Sequence, residues 1–426
     1  MTTSPGDARA LRPLLLSHSD GGGGAGRAAH RLHLALRAAG VDSRMLVDFK
    51  DTEDRYVQRP TQRAGGSRRR MRITADQVPA VLAGLPDPRG FSPGIASAIS
   101  ARAIDAMGAD VVNVHWTNFG FLSIAQLGRI QTPMVWTLHD MWAFTGGRMY
   151  DYEAATARWR TGYTAPFAPP PGQRWDIESW VWRRKRSHWR SPIQLVTPSR
   201  WLAQLAGESA LLHDWPVQVI PNALDTDVFA PRPGARARLG LPEGPPIILL
   251  AVAADLDDRR KGADLLIAAT SRLAHERPDV HLAVVGHSSP PTGWPTAITT
   301  HWLGRVSDDT VLADTYRAAD VVVVPSRQDN LPQTGTEAAA SGTAVIAFDI
   351  GGMSDIVIHG STGYLARAGD VRDLAHGIGW VLQSRQRSTQ LGLAARDRAV
   401  AQWSPDVIAT TYRSLFDEVR GARPPL

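Results

Sequence analysis

The sequence predicts an α/β fold of two doubly wound parallel sheets, one in each half of the chain, with the strand ends of the two halves facing each other across a cleft. Three observations predict it. Short apolar runs alternate with helical patterns in both halves, a stretch rich in Pro and Gly at 225–245 separates the halves, and 426 residues suit two domains of about 200 residues. Because ligands of such sheets bind beyond the carboxyl ends of the strands, we expect the site between the halves.

The first half opens with a strand, a glycine loop and a helix. Leu14–Leu16 is an apolar run, Gly21–Gly26 contains only Gly and Ala, and a pattern with helical spacing extends from Ala28 to Leu36. Val41–Val47 supplies the next strand and completes a βαβ unit. Four later runs predict further buried strands, at 111–114, 134–138, 194–196 and 217–220.

Two segments of the first half lack clear periodicity. Residues 58–74 include Arg68-Arg69-Arg70 and predict a basic exposed loop. Residues 151–174 are rich in Pro, Gly and Arg and predict a long surface excursion, followed by a helix from about Asp176 to Trp189.

That helix mixes aromatic and cationic residues: Trp175, Trp180, Trp182 and Trp189 alternate with Arg183, Arg184, Lys185, Arg186 and Arg190. Two interpretations stay open. The slightly preferred one is a packed Trp face with a solvated basic side. The other is a peripheral contact with an anionic membrane that would bring a lipid-linked acceptor to the site.

The second half repeats the α/β rhythm. The pattern predicts strands at 247–252, 281–285, 300–303, 321–324 and 344–348, and helices at 262–275, 308–318 and 333–341. The predicted domains are therefore residues 1–225 and 226–404. A last helix, 405–426, presents Ile408, Tyr412 and Leu415 on one face, so we expect it to pack back on the first domain.

Composition excludes several classes of protein. With 43% hydrophobic and 21% charged residues the chain should fold, and the absence of Cys excludes disulfides, thiolate metal sites and cysteine nucleophiles. A net charge of +6 favours anionic partners such as nucleotides or phospholipid headgroups. No apolar run approaches the roughly 18 residues of a membrane helix and no signal peptide precedes Leu14, so we expect a cytoplasmic protein.

Arg259-Arg260-Lys261-Gly262 stands between a predicted strand and a predicted helix. Cations beside the positive end of a helix suit phosphate oxygens. Taken alone, these residues are more often solvated surface charges, and both interpretations stay open.

Two carboxylates bracket the loop after strand 321–324. Asp329 and Glu337 flank Asn330-Leu331-Pro332-Gln333-Thr334-Gly335-Thr336, and Pro332 with Gly335 predicts a turn before a helix. Carboxylate oxygens here suit the hydroxyls of a sugar or ribose, and the first N–H groups of the helix suit an anion. A helix cap followed by an ordinary helical Glu is the competing interpretation.

His139 follows strand 134–138 and would accept a hydrogen bond from a substrate hydroxyl or orient it, although a strand-end His is more often structural. His18, His115 and His139 all follow predicted strands, but without a His-x-His or Glu-x-x-His pairing a metal site is disfavoured, and we expect none. The loop Gly21–Gly26 would let an anionic ligand approach the backbone.

Taken together, these motifs resemble the retaining glycosyltransferases of family 4 over nearly the whole chain. The segments that carry the resemblance are Gly21–Ala29, VWTLHDMWAFTGG at 135–147, TPSRW at 197–201, IPN at 220–222, RKG at 260–262 and PSRQDNLPQTGTEAAASGTAVIAFDIGGMSDI at 325–356. The resemblance implies the GT-B fold of two Rossmann-like domains, with an acceptor site in the first and a nucleoside diphosphate sugar site in the second.

The resemblance also implies residue roles. Glu337 would hold the ribose hydroxyls, Asp329 would lie near the donor sugar with His139, and Arg260 and Lys261 would neutralise the leaving diphosphate. The backbone of Asn330, Leu331, Pro332, Gln333 and Thr334 would surround sugar and phosphate, with N–H groups from every one of these residues except Pro332. The loop with Gly23 and Gly24 would approach the diphosphate, and the backbone around Arg305 would hold the base.

Three departures from the family pattern bear on function. The arginine often found shortly before the Lys has no match, since Asp255 and Leu256 stand there. The first acid of the family's Glu-(seven residues)-Glu motif is usually Glu, and Asp329 is one methylene shorter. Relatives often carry cysteines just after the block at 135–147, and residues 151–174 have none. We expect a metal-independent transferase without a cofactor, acting on a glycan or lipid-linked acceptor and not on nucleic acid. The alternatives are a GT-B epimerase or inverting transferase, or a non-catalytic protein that binds nucleotide sugar or glycan.

Overall fold

The computed structural model describes residues 10–60, 66–85, 87–164, 169, 172–251, 256, 258–291, 294 and 298–422. Val252, predicted as the end of a strand, lies outside them, as do the last four residues of the predicted final helix. The chain divides into two compact units, which we describe separately: unit 1 is Met1–Ile220 with Ile408–Leu426, and unit 2 is Pro221–Val407.

Unit 1 is built on a seven-stranded sheet. Its strands are β1 (Pro13–Ser19), β2 (Arg44–Phe49), β3 (Val57–Gln58), β4 (Val111–Val114), β5 (Met134–Thr137), β6 (Gln194–Thr197) and β7 (Val217–Val219). They lie in the order β3-β2-β1-β4-β5-β6-β7, and all neighbours are parallel.

Seven helices of unit 1 precede unit 2 within the described residues: α1 (Gly23–Ala38), α2 (Gly66–Ala83), α3 (Ala101–Asp105), α4 (Ile124–Leu127), α5 (Arg158–Thr161), α6 (Ile177–His188) and α7 (Arg200–Glu208). Side-chain oxygens of Ser100, Ser123, Asp176 and Ser199 cap α3, α4, α6 and α7 by accepting from N–H groups of the first turn.

Unit 2 is built on a six-stranded sheet. Its strands are β8 (Ile247–Ala251), β9 (His281–Val285), β10 (Thr299–Trp302), β11 (Val321–Val324), β12 (Ala344–Phe348) and β13 (Gly363–Ala366). They lie in the order β10-β9-β8-β11-β12-β13, and all neighbours are parallel. β11 is a run of four valines buried on both faces, as parallel strands between helical layers require.

The helices of unit 2 are α8 (Ala235–Leu239), α9 (Ala263–Glu276), α10 (Asp309–Ala318), α11 (Gln333–Ala340), α12 (Met353–Ile356), α13 (Val371–Leu382) and α14 (Arg385–Trp403). In each sheet the strand order reverses once, between β1 and β4 in unit 1 and between β8 and β11 in unit 2. In open α/β sheets, ligands bind beyond the carboxyl ends of the strands at such reversal points.

The last helix, α15 (Pro405–Gly421), belongs to unit 1 from Ile408 onward. Tyr412 and Phe416 are buried, and the Tyr412 hydroxyl lies 3.0 Å from Oγ1 of Thr137 at the end of β5. The chain therefore ends by packing against the unit in which it began.

The prediction of a basic loop at 58–74 is wrong for residues 66–74, which form the first half of α2; residues 61–65 lie outside the described part. Arginine is a good helix former, and here its side chains find partners in β2. Arg72 forms an ion pair with Asp48, and the guanidinium of Arg69 lies 3.7 Å from the centre of the Phe49 ring.

The predicted surface excursion at 151–174 is partly wrong as well. Ala157, Trp159 and Tyr163 are fully buried in the core of unit 1. Trp159 donates through Nε1 to the carbonyl of Tyr152 at 2.9 Å, and the Tyr163 hydroxyl accepts from the N–H of Gly146 at 2.8 Å. A segment without periodicity can still enter a core through single aromatic side chains whose polar atoms are satisfied.

Among the described residues, no helix is both long enough and apolar enough to cross a membrane.

Candidate active site

The cationic turn of unit 2 lies at the point where the strand order reverses. Arg259–Lys261 form one 3₁₀ turn between β8 and α9, and Asp258 caps it by accepting from the N–H of Arg260 at 3.0 Å. Gly262 then starts α9 with a left-handed φ of 68°. A Cβ at this position would lie 2.0 Å from the carbonyl oxygen of Pro325, so only glycine lets the turn after β8 approach the loop after β11.

This close approach joins the two predicted motifs. Nζ of Lys261 donates to Oδ2 of Asp329 at 2.6 Å, and Nη1 of Arg260 lies 3.5 Å from the same oxygen. The hydroxyl of Ser326 donates to that oxygen at 3.2 Å, while the N–H of Asn330 donates to Oδ1 at 3.1 Å. The Asp329 side chain is only 8% exposed, whereas Lys261 keeps 32% and Arg260 28% of their side-chain surface exposed.

Burial of the Asp329 carboxyl opposes its ionisation, but the charges of Lys261 and Arg260 and the hydrogen bonds outweigh burial and lower its pKa. Asp329 is therefore a carboxylate at neutral pH that fixes the position of two cations. The interpretation of Arg260 and Lys261 as free surface charges is wrong, since both contact this buried acid.

A glycine turn supports the same loop from the β12 side. Gly351 has a φ of 55°, and a Cβ there would lie 2.2 Å from the carbonyl oxygen of Asp329. That carbonyl accepts from the N–H of Gly352 at 3.1 Å. The Gly-Gly turn thus needs its lack of side chains in order to hold the backbone at Asp329.

Glu337 lies inside α11 and is 2% exposed. Its Oε2 accepts from the hydroxyl of Tyr316, on α10, at 2.8 Å. It is therefore not an ordinary solvated helical Glu. The two oxygens of a carboxylate offer about four lone-pair positions, so such a group can accept several hydrogen bonds at once.

The residues between the two acids form the entry to α11. Asn330, Leu331 and Pro332 are buried, Gln333 and Thr334 are half-buried, and the helix begins at Gln333. The predicted start of this helix at residue 333, shortly after Asp329, is therefore confirmed. Arg305 is not part of this cluster: it is exposed and follows β10, which β9 and β8 separate from β11.

His139 lies in unit 1, directly after β5. Its Nε2 is 2.9 Å from Nδ1 of His115, and the two rings stack with centres 5.2 Å apart. Burial lowers the pKa of His139 to about 4 and that of His115 as well, so both imidazoles are neutral at physiological pH. The next residue, Asp140, accepts from Nε1 of Trp116 at 2.8 Å and from the N–H of Trp142 at 2.8 Å.

The glycine loop of unit 1 starts α1 at the point where the order of its sheet reverses. A Cβ at Gly23 or Gly24 would meet no atom within 4 Å, so the backbone there has room beside it, whereas one at Gly26 would lie 2.5 Å from Oγ of Ser19. Sequence analysis missed Asp20, which precedes the loop and accepts from the N–H of Asp51 at 2.6 Å and that of Thr52 at 3.2 Å.

The structure favours the packed-face interpretation of α6. Trp182 and Trp189 are buried, and so is Lys185, whose Nζ donates to the carbonyls of Trp142 and Thr145 and lies 3.9 Å from the centre of the Trp142 ring. Burial lowers the pKa of Lys185, against the attraction of Asp140. The expectation that every cation of this helix is solvated is wrong for Lys185, while Arg183, Arg186 and Arg190 are exposed.

Several residues of these clusters gave little or no signal in the sequence. Ser326 and Tyr316 belong to an ordinary turn and an ordinary helix face. Asn113, whose Oδ1 lies 2.8 Å from Nε2 of His115, did leave a signal, because it is a polar residue inside the apolar run 111–114. Among the described residues, no three His, Asp or Glu side chains come together as a group able to hold a metal ion.

Models of two families match the chain. The family described as "Glycosyltransferase Family 4" matches residues 22–228, and "Glycosyl transferases group 1" matches residues 246–384. The D-inositol 3-phosphate glycosyltransferase of Nocardia farcinica is 32% identical over 74% of this chain and 68% of its own length. The chain belongs to glycosyltransferase family 4. The predicted family and enzyme class are thereby confirmed.

Other family 4 proteins match over different lengths. An MMP alpha-(1->4)-mannosyltransferase of Mycolicibacterium hassiacum is 31% identical over 79% of this chain and 76% of its own length. A D-inositol 3-phosphate glycosyltransferase of Xylanimonas cellulosilytica is 33% identical over 49% of this chain. This match covers 52% of the length of that relative, about half.

Solved structures confirm the GT-B fold class for this family 4 chain. Sucrose-phosphate synthase of Thermosynechococcus elongatus matches with a TM-score of 0.71 at 22% identity, over 97% of this chain and 100% of that one. Anabaena HepE in complex with UDP-glucose matches with a TM-score of 0.61 at 16% identity, over 96% and 100%. At these identities the likeness concerns the fold alone.

Proposed function

We propose that this family 4 protein transfers a sugar from a nucleoside diphosphate sugar to a glycan or lipid-linked saccharide, with retention of the anomeric configuration and without a metal ion. The observation that carries the proposal is the contact of 2.6 Å between Lys261 Nζ and Asp329 Oδ2. It places a fixed cation where the order of the unit 2 sheet reverses, beside the first turns of α9 and α11.

The charge at this position suits a diphosphate leaving group. Cleavage of the anomeric C–O bond increases negative charge on the diphosphate, and a preorganised cation stabilises that charge without rearranging. An ammonium has three N–H donors. Among the described residues, one hydrogen bond of Lys261 to a side chain is found, to Asp329, which leaves donors for phosphate oxygens. Arg260 adds a second positive charge 3.5 Å from the same acid.

The remaining roles in unit 2 are those that the family resemblance implies. Glu337 would accept hydrogen bonds from the ribose hydroxyls, while the hydroxyl of Tyr316 donates to its Oε2. Backbone N–H groups of Asn330, Leu331, Gln333 and Thr334 would surround the sugar and phosphate, and the backbone at Arg305 would hold the base. Relatives named for mannosyl transfer support a sugar donor, without naming the sugar or the base for this chain.

Unit 1 would supply the acceptor site together with His139 and the loop at Gly23 and Gly24. A neutral His139 would accept a hydrogen bond from a donor-sugar hydroxyl, as an imidazolium would not. With retention the acceptor attacks the face that the diphosphate leaves, so no enzymatic nucleophile is required, and the proton of the acceptor hydroxyl would pass to an oxygen of the departing diphosphate.

Lys261→Ala tests the proposal. One charge donor in a preorganised site is typically worth about 3 kcal/mol, so we expect turnover to fall roughly a hundredfold or more with the fold intact. The donor is first selected by thermal shift against a panel of nucleoside diphosphate sugars, and turnover is then measured with that donor. Arg277→Ala is the matched control, because Arg277 is a cation of the same unit that pairs with the exposed Asp279. Turnover of Lys261→Ala near that of the control would refute the role.

The alternative functions give different products. An epimerase or an inverting transferase would release product of another configuration, which anomer analysis by NMR detects. A non-catalytic binding protein would show the thermal shift but neither hydrolysis nor transfer of the donor above background. Asp329 is one methylene shorter than the usual Glu of the family, but it still contacts Lys261 at 2.6 Å. Its length is therefore no argument for a protein that has lost activity.

Contact with an anionic membrane stays a prediction, and the exposed Arg183, Arg186 and Arg190 of α6 are the residues to which it now applies. Charge reversal at Arg183 and Arg186 should then reduce sedimentation with anionic liposomes. Sedimentation that does not respond to charge reversal would remove the membrane interpretation.

A further inference from the structure

A chain of buried hydrogen bonds leads to His139 from the interior of unit 1. It starts at Asn113 in β4, a fully buried amide between two valine neighbours. Nδ2 of Asn113 lies 3.1 Å from the carbonyl oxygen of Val135 and 3.0 Å from Oγ1 of Thr137, while Oδ1 lies 2.8 Å from Nε2 of His115. All hydrogen-bonding atoms of this amide are therefore occupied.

The carbonyl of Val135 fixes the direction of this chain. A backbone carbonyl can only accept, so the amide atom that faces it must be the NH₂ group, and Oδ1 must face His115. Oδ1 can also only accept, which requires the proton of neutral His115 to be on Nε2. The tautomer of His115 thus follows from a main-chain atom and not from an arbitrary assignment of the amide.

The tautomer of His115 determines the tautomer of His139. With its proton on Nε2, neutral His115 has a lone pair on Nδ1, and this atom is 2.9 Å from Nε2 of His139. Nε2 of His139 must therefore carry a proton and donate it. The basic nitrogen of neutral His139 is then Nδ1.

At its other end, this series of hydrogen bonds reaches the last helix, α15. Oγ1 of Thr137 accepts from Asn113 and lies 3.0 Å from the hydroxyl of Tyr412, which is 2% exposed on α15. Thr137 belongs to β5, two residues before His139. The helix α15 thus contacts β5, the strand that leads to His139.

We propose that Asn113 and His115 are positioning residues that hold His139 in one ring orientation and in the neutral form protonated on Nε2, so that Nδ1 is its hydrogen-bond acceptor. The catalytic consequence rests on the proposed function: His139 would accept from a sugar hydroxyl and would not donate to a phosphate or to the glycosidic oxygen. The hydrogen-bond pattern itself does not depend on that function.

The tautomers can be measured without any activity. Protein labelled with ¹⁵N-histidine is examined at pH 7 by long-range ¹H–¹⁵N correlation, and the signals are assigned through His115→Gln and His139→Gln. We expect both His115 and His139 to be neutral with the proton on Nε2. A proton on Nδ1 of either ring, or two protons on either, would overturn the proposal.

A pair of substitutions at position 115 separates positioning from packing. A Gln amide can donate to Asn113 and accept from His139 as the imidazole does, whereas Leu can do neither. We expect His115→Gln to keep the Nε2-protonated form of His139 and transfer activity within a few-fold of wild type. His115→Leu should mix the tautomers of His139 and lower kcat by roughly tenfold at similar donor KM, the effect of losing one hydrogen bond.

Unit 2 supplies a matched control. His281 and His301 form a second pair, with Nδ1 and Nε2 also 2.9 Å apart, on β9 and β10. His301→Gln should leave the signals of His139 unchanged. If wild type shows the expected tautomers but no nucleotide sugar is turned over, the proposed function fails and the positioning proposal stands. If transfer occurs but His115→Leu leaves the His139 tautomer as in wild type, the positioning proposal fails alone.

Discussion

At the scale of single residues, the best supported part of the site is a buried acid that holds two cations. Asp329 contacts Lys261 at 2.6 Å and Arg260 at 3.5 Å, and their charges keep it ionised despite its burial. An ammonium held in this way needs little reorganisation when a phosphate arrives, which is the property that electrostatic catalysis requires.

Glu337 gives a prediction of its own. If Glu337 binds the ribose hydroxyls, Glu337→Gln should raise the donor KM roughly tenfold or more, because a hydrogen bond to a charged group contributes about 1.5–3 kcal/mol. Tyr316→Phe is the matched control, since it removes the hydroxyl that donates to Oε2 but keeps the carboxylate. Steady-state kinetics that show the larger effect for Tyr316→Phe would assign Glu337 to the core of unit 2 instead.

The buried His33 predicts a dependence of stability on pH. Burial lowers the pKa of His33 to about 4, more than the nearby Asp54 raises it. Between pH 6.5 and 4 the unfolded chain binds a proton that the folded His33 does not, so stability decreases as the pH falls through this range. The measurement is urea unfolding at pH 7 and at pH 5. Between these pH values the free energy of unfolding should fall by on the order of 1–2 kcal/mol more in wild type than in His33→Gln. Equal losses for the two proteins would contradict this assignment.

At the scale of elements, the site depends on how closely the turn after β8 approaches the loop after β11. Gly262 permits this contact with Pro325, and Gly351 permits the corresponding contact with Asp329. Both glycines have positive φ and no room for a Cβ, so the loops that carry Lys261 and Asp329 are held by main-chain packing.

Substitution of Gly262 by Ala tests this packing. Gly369 is the matched control, with a φ of 70° against 68° for Gly262 but no atom within 4 Å of a Cβ. Gly369→Ala should cost about 1–2 kcal/mol from the left-handed backbone alone. Gly262→Ala should cost at least about 2 kcal/mol more in urea unfolding, as overpacking against main chain does, and should weaken donor binding. Equal costs would show that the loops can separate.

The elements also show where sequence reasoning succeeded and failed. Strands such as β11 and the start of α11 were predictable, because valine runs and a Pro before a helix determine local structure directly. The helix α2 was not predictable, because its run of arginines indicated an exposed loop. In the structure Arg72 pairs with Asp48, and the guanidinium of Arg69 packs on the ring of Phe49. The burial of Trp159 and Lys185 was equally unpredictable, since it depends on partners far away in the sequence.

At the scale of the whole molecule, the chain leaves unit 1 after Ile220, forms unit 2 and returns to unit 1 at Ile408. The boundary predicted at residue 225 was set by turn residues, while contacts place the division at 220. The returning helix contributes Tyr412 and Phe416 to the interior of unit 1, so the stability of the first unit depends on the last part of the chain.

Phe416→Ala should therefore lower the free energy of unfolding of unit 1 by about 3–5 kcal/mol, as large-to-small changes in a core do. Val407→Ala on the same helix is the control: Val407 is 41% exposed, and its change should stay within about 0.5 kcal/mol. Tryptophan fluorescence during urea unfolding reports mainly unit 1, where most of the tryptophans lie. A similar midpoint for both variants would contradict the docking of α15 as a core element.

The sequence by itself determined the α/β rhythm of both halves, the family, and the residue types of the site, because strand and helix periods and short motifs are local properties. Only the tertiary structure decided that Lys261 meets Asp329, that Tyr316 meets Glu337, and that Asn113 and His115 lead to His139. Lys261 and Asp329 are 68 residues apart in the sequence, Tyr316 and Glu337 are 21 apart, and His115 and His139 are 24 apart. Their distances in the fold follow from the order and register of parallel strands. That order is set by the packing of all layers at once, which no local pattern contains.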